Sequence, residues 1–109
     1  MVLFIAVLTE GTYVHDILQE FADEGFHGSV LSTRSIRHAL MDTVEPEPYF
    51  GGLSKVVEGE EVARPMIFMV CKKEETTKLM ELVNKATGGI KGKGFMFTMP
   101  ISHLEGLED

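Results

Sequence analysis

Two strand-then-helix units of similar spacing constrain this chain more than any other feature of its sequence. Val2–Leu8 is an unbroken apolar run rich in β-branched and aromatic residues, and residues 65–71 (Pro-Met-Ile-Phe-Met-Val-Cys) form a second. Runs of this length and composition suit strands covered on both faces. Behind the first run, Val14, Ile17, Leu18, Phe21 and Ala22 recur at helical spacing, while His15, Asp16, Gln19, Glu20 and Asp23 face water between them. Thr9 and Thr12 are candidate caps for that helix, and Gly25 suits the left-handed position just past its end. Behind the second run, Leu79, Met80, Leu82, Val83 and Ala86 make a matching face that Gly88-Gly89 terminates. Residues 28–33 and 94–99 read as the strands that follow, the last closed by Pro100.

The resulting order is β-α-β, a long segment, then β-α-β. Each crossover joins parallel strands with right-handed connectivity, and two such units interleave. The expected architecture is α+β: a ferredoxin-like βαββαβ sandwich, with a four-stranded antiparallel sheet and both helices on one face. The 109 residues make a single domain spanning 1–109. A chain of this size buries roughly 65% of its unfolded surface and needs no disulfide or metal staple. The first and third strands carry more apolar positions than one sheet face can use. Oligomerisation through the uncovered face is the economical answer.

Residues 34–64 break the pattern. They hold Pro46, Pro48, Gly51, Gly52, Gly59 and a cluster of acids, with a weak helical hint over 36–41 and strand-end signals at Val56-Val57 and Glu61-Val62. A segment this long is functional or mobile rather than an incidental connector. The Tyr49-Phe50-Gly-Gly52 patch within it is either a loop tip for a partner or a fold-back onto the core.

Seventeen acids against ten bases give a formal charge of −7, which argues against a nucleic-acid binder while leaving room for local basic clusters. Cys71 stands alone, so no intrachain disulfide forms, and at the end of an apolar strand it reads as a small core residue. A reducing, cytoplasmic setting fits. No stretch reaches the roughly 18 apolar residues of a membrane span, and the N-terminal run lacks a basic leader, so it reads as a strand and not a signal peptide. His15, His27, His38 and His103 show no ligand spacing. No nucleophile–base order or paired carboxylate stands out, and the expectation is a protein without catalysis.

The best chemical candidate is the segment 86–94, Ala-Thr-Gly-Gly-Ile-Lys-Gly-Lys-Gly, with Gly88, Gly89, Gly92 and Gly94 interleaved with Lys91 and Lys93. Glycines let backbone N–H groups turn inward as a nest, and lysines add positive charge, so the loop suits an anion such as a phosphate. It follows a helix and precedes a strand, which excludes a P-loop. An ordinary Gly-rich connection with solvated lysines is the competing reading. A second cluster, Arg34, Arg37 and His38, opens the long segment and either flanks a ligand or is solvated charge.

At Thr87-Gly-Gly-Ile-Lys-Gly-Lys-Gly-Phe-Met-Phe97, followed by Pro100, the chain resembles the nitrogen-regulatory PII signalling family, which carries a TGxxGDGKIF-type B-loop between its second helix and last strand. The order of elements agrees along the whole chain. Leu3-Phe-Ile-Ala-Val7 matches the family's first strand and residues 34–64 sit where its T-loop lies. The resemblance implies a homotrimer that binds an adenine nucleotide or related small anionic effector between subunits, with no obligatory cofactor. It also implies a mobile loop that docks on a protein partner, typically a transporter or enzyme. Carried over by position, Gly88, Gly89, Gly92 and Gly94 form the phosphate cradle, with Ser32, Thr33 and Arg34 near the base group. The loop is one residue longer than the family pattern, Lys93 stands in place of its aspartate, and Phe95 in place of the lysine after its last glycine. The tail after Pro100 lacks the arginines that grip a triphosphate; Lys91 and Lys93 replace that charge, and the pattern points to an effector other than ATP. Two other readings stay open: a trimeric metal-responsive or structural protein of the CutA type, and a small enzyme using Arg34, Arg37 or His38 between subunits.

Overall fold

The structure, a computed structural model of the chain, describes residues 1–37, 39–40 and 63–107. Its elements are β1 (Val2–Leu8), a 3-10 turn (Gly11–Tyr13), α1 (Val14–Asp23), β2 (Ser29–Arg34), β3 (Ala63–Cys71), a second 3-10 turn (Lys73–Glu75), α2 (Thr76–Thr87) and β4 (Gly94–Pro100). The sheet order is β2-β3-β1-β4 and every neighbouring pair is antiparallel. This is the expected ferredoxin-like sandwich. Each crossover skips one position, so β1 and β2 run parallel with β3 between them, and β3 and β4 run parallel with β1 between them.

The helices terminate as the glycines require. Gly25 (φ 81) follows α1, and Gly88 (φ 74) is the left-handed cap of α2. The core fills the space between sheet and helices, with Phe4, Leu8, Ile17, Ile67, Leu79 and Val83 fully buried. Phe21 meets Phe4 edge-on at 6.2 Å and Phe26 at 6.3 Å, anchoring α1 over the sheet. Lys78 pairs with Glu24 and Lys85 with Glu20 across the two helices, exposed contacts that contribute little each.

Several sequence expectations are corrected. β1 alternates strictly: Val2, Phe4, Ala6 and Leu8 are buried under the helices, while Leu3, Ile5 and Val7 are only half-buried on a face that no described element covers. The register adds Met66, Phe68 and Val70 from β3 and Phe95, Phe97 and Met99 from β4 to that open face. The apolar run is therefore continuous because both faces of β1 are apolar, although the described chain covers only one. β2 starts at Ser29 rather than at Gly28, which lies against β3, where a Cβ would stand 2.6 Å from the Phe68 carbonyl oxygen. β3 starts at Ala63 rather than at Pro65. Pairing with β1 ends at Met66, so Pro65 has a strand on one side only, where its missing N–H is tolerated. Leu18 and Ala22 lie at the exposed margin of α1 instead of in the core. The helices do not reach β2, whose helix-side residue Val30 is 42% exposed.

Residues 36, 37, 39 and 40 are helical, and the Ala39 amide donates to the Ser35 carbonyl oxygen at 3.0 Å. His38, the acids of 42–61, the Tyr49–Gly52 patch and the strand-end signals at 56–57 and 61–62 lie outside the described residues.

Candidate functional site

The Gly-rich loop leaves α2 at Gly88 and enters β4 at Gly94, and its first half is fastened by the helix it leaves. Asn84 does most of this. Its carbonyl oxygen accepts from the Gly88 and Gly89 amides, and its side-chain oxygen accepts from the Ile90 amide at 3.0 Å. Thr87 adds a further acceptor for Gly89 at 3.2 Å, while its own hydroxyl donates to the Val83 carbonyl oxygen. The amides of Gly88, Gly89 and Ile90 are thus satisfied within the chain.

The tip is different. The Lys93 amide donates to the Ile90 carbonyl oxygen at 2.8 Å, closing a four-residue turn over 90–93. Gly92 has φ 83 in it, the value a type II turn demands of its third residue and one that favours glycine. The amides of Lys91 and Gly92 make no hydrogen bond among the described residues. Lys91 itself is exposed. Two backbone donors and an ammonium at one turn are what an oxyanion requires.

Lys93 behaves unlike Lys91. Its ammonium turns back to donate to the Thr87 carbonyl oxygen at the end of α2, and it lies 5.1 Å from the centre of the Tyr13 ring. A cation there complements the helix C-terminus and the ring face together. The Lys93 carbonyl oxygen accepts from both the amide and the hydroxyl of Thr9, at 2.9 and 3.0 Å. Thr9 therefore does not cap a helix as its sequence position suggested; neither the first 3-10 turn nor α1 has a side-chain cap. Gly94 presses against β1, where a Cβ would overlap the Val7 carbonyl oxygen. Asn84, Thr9 and Tyr13 belong to the loop's support, and no spacing in the sequence singles them out.

Ser32, Thr33 and Arg34 end β2, at the same end of the sheet as the loop but on the opposite edge. Three strand spacings, about 14 Å, separate β2 from β4, so one chain does not bring the two groups together. The Thr33 hydroxyl donates to the Arg64 carbonyl oxygen at 2.6 Å and Arg37 is exposed. Cys71 is buried, and burial, reinforced by Glu75, pushes its thiol above the ordinary range, which marks it as a protonated core residue. Among the described residues no group of His, Cys, Asp and Glu is placed to hold a metal ion, and no helix is long and apolar enough to cross a membrane.

Sheet order and helix placement define a ferredoxin-like sandwich. Among solved structures the chain is similar to the Arabidopsis thaliana PII protein bound to citrate, with a TM-score of 0.60 over 93% of this chain and 77% of that one, at 18% sequence identity. No family model matches the chain, and no curated protein matches it in sequence. The likeness is one of fold.

Proposed function

We propose that this chain is a PII-like regulatory protein, not an enzyme, which binds a small anionic effector between subunits and signals the bound state to a protein partner. The observation that carries the reading is the turn at the tip of the Gly-rich loop, where the Lys91 and Gly92 amides have no partner among the described residues and Lys91 is exposed. The citrate in the Arabidopsis PII structure is a small polyanion of the class such a turn suits. An adenine nucleotide is the other candidate, its phosphates at the Lys91 and Gly92 amides of the Gly-rich loop and its base near Ser32, Thr33 and Arg34 of a neighbour.

The open apolar sheet face supports the assembly this requires. Phe95 and Phe97 stack at 6.1 Å on it and Met99 is 48% exposed, an apolar surface that water alone covers poorly. A homotrimeric ring buries that face and carries the β2 end of one subunit toward the β4 end of the next, closing the gap a single chain leaves. The long segment that follows β2 is then the element a transporter or enzyme reads. Binding biases that segment between two states by as much as the effector's affinity differs between them.

Calorimetric titration with ATP, ADP, AMP, citrate and bicarbonate, each with and without magnesium, tests this, alongside the mass in solution. Saturable binding of one of them at about one ligand per subunit of an oligomer is the expected result. A monomer that binds none of them overturns the proposal.

A further inference from the structure

Resting on the anion-binding reading above, we infer that the two lysines of the loop divide the work: Lys91 contacts the anion together with the Lys91 and Gly92 amides, while Lys93 is a positioning residue that braces the turn against Tyr13 and α2. The geometry separates them. Lys91 is exposed at the tip of the turn, where its own amide and that of Gly92 have no partner among the described residues. Lys93 is half-buried, and its ammonium is committed to the Thr87 carbonyl oxygen and the face of Tyr13. Its backbone is committed as well, the amide closing the turn on Ile90 and the carbonyl oxygen accepting twice from Thr9.

Lys93 thus connects three elements that no other loop residue joins: the C-terminus of α2, the end of β1 and the 3-10 turn before α1. A turn held at both ends presents its amides in one orientation. Without the brace, the turn has to be ordered by the anion itself, at the expense of affinity. The brace needs a cation with a donor hydrogen and an aromatic ring beneath it, which arginine and phenylalanine also provide.

The test titrates the full-length protein with ATP, and with citrate, over a range of KCl concentrations, and records thermal unfolding of each variant. Lys91→Met is expected to weaken binding on the order of tenfold, as for loss of a charge-assisted contact. It should also flatten the salt dependence and leave the melting temperature unchanged. Lys93→Met is expected to lower the melting temperature and to weaken binding with the salt dependence largely retained, because the charge in contact with the anion is still present. Tyr13→Leu, which removes no charge, is expected to weaken binding in the same way, and Lys93→Arg and Tyr13→Phe to behave as wild type. Tyr13→Leu binding as tightly as wild type while Lys93→Met flattens the salt dependence as Lys91→Met does would overturn the inference, because Lys93 would then be a direct contact. Wild-type protein that binds neither probe overturns the anion reading itself, a separate outcome visible before any variant is made.

Discussion

Gly94 is where the candidate site is joined to the sheet, and replacing it by alanine is the sharpest test of that junction. A Cβ at Gly94 would overlap the Val7 carbonyl oxygen and stand 3.0 Å from the Leu8 Cα, at a φ of 156 that side chains rarely adopt. The obstructing atoms are backbone, so no rotamer change makes room. Retaining the conformation costs about 1–3 kcal/mol of strain. Moving β4 away from β1 also weakens the two bonds that Lys93 accepts from Thr9, at about 1 kcal/mol each. The expected loss for Gly94→Ala is about 4 kcal/mol, which for a chain of this size lowers the melting temperature by about 16 °C. Gly89→Ala is the control: its φ of 111 is equally foreign to alanine, but nothing lies within 4 Å of the added Cβ. It should lose only the strain, about 1–3 kcal/mol. Differential scanning calorimetry of both variants at one protein concentration makes the comparison, since assembly would otherwise shift the midpoint. Equal losses would refute the argument, because the close approach of β4 to β1 would then add nothing beyond local backbone strain.

Further outcomes follow from the same packing. Ile5→Glu places a charge at the centre of the open sheet face, opposite Phe68 and Phe97; light scattering should show a lower mass than wild type, that of a monomer, while circular dichroism stays native, and an unchanged mass would refute assembly through this face. Burial raises the Cys71 thiol, so the folded state holds that proton more tightly than the unfolded chain does. Its contribution to stability is fully present below the unfolded value of about 8.5 and falls as pH rises beyond it. The urea midpoint of wild type should therefore drop as pH rises above about 8.5, whereas that of Cys71→Val should drop less; equal slopes would show that folding leaves the proton affinity of the thiol unchanged.

The helices and central strands were legible because they depend on local periodicity. Ile17, Phe21, Leu79 and Val83 declare their helix faces by spacing alone, and Gly25 and Gly88 mark the stops because only glycine takes their backbone angles without strain. The edge strand β2 was less legible: its residues are almost all exposed, so burial imposes no alternation that its sequence must show. Within the loop, glycine content suggested a cradle of four glycines, whereas the structure consigns the Gly88 and Gly89 amides to Asn84 and leaves those of Lys91 and Gly92. Nothing in the sequence tells a free amide from a satisfied one.

What the sequence determined by itself is the set of elements and their order, because strand and helix formation answer to neighbours a few residues away. From that order, the handedness of crossovers leaves one sandwich. The tertiary structure alone decided that Thr9 and Tyr13, far away in the chain, meet Lys93, the Thr9 hydroxyl at a separation of 84. It also decided that two lysines in one short loop have different surroundings. Side-chain partners of this kind are set by the pairing of β1 with β4 and the docking of α1, which bring distant residues within reach whatever their spacing in the chain.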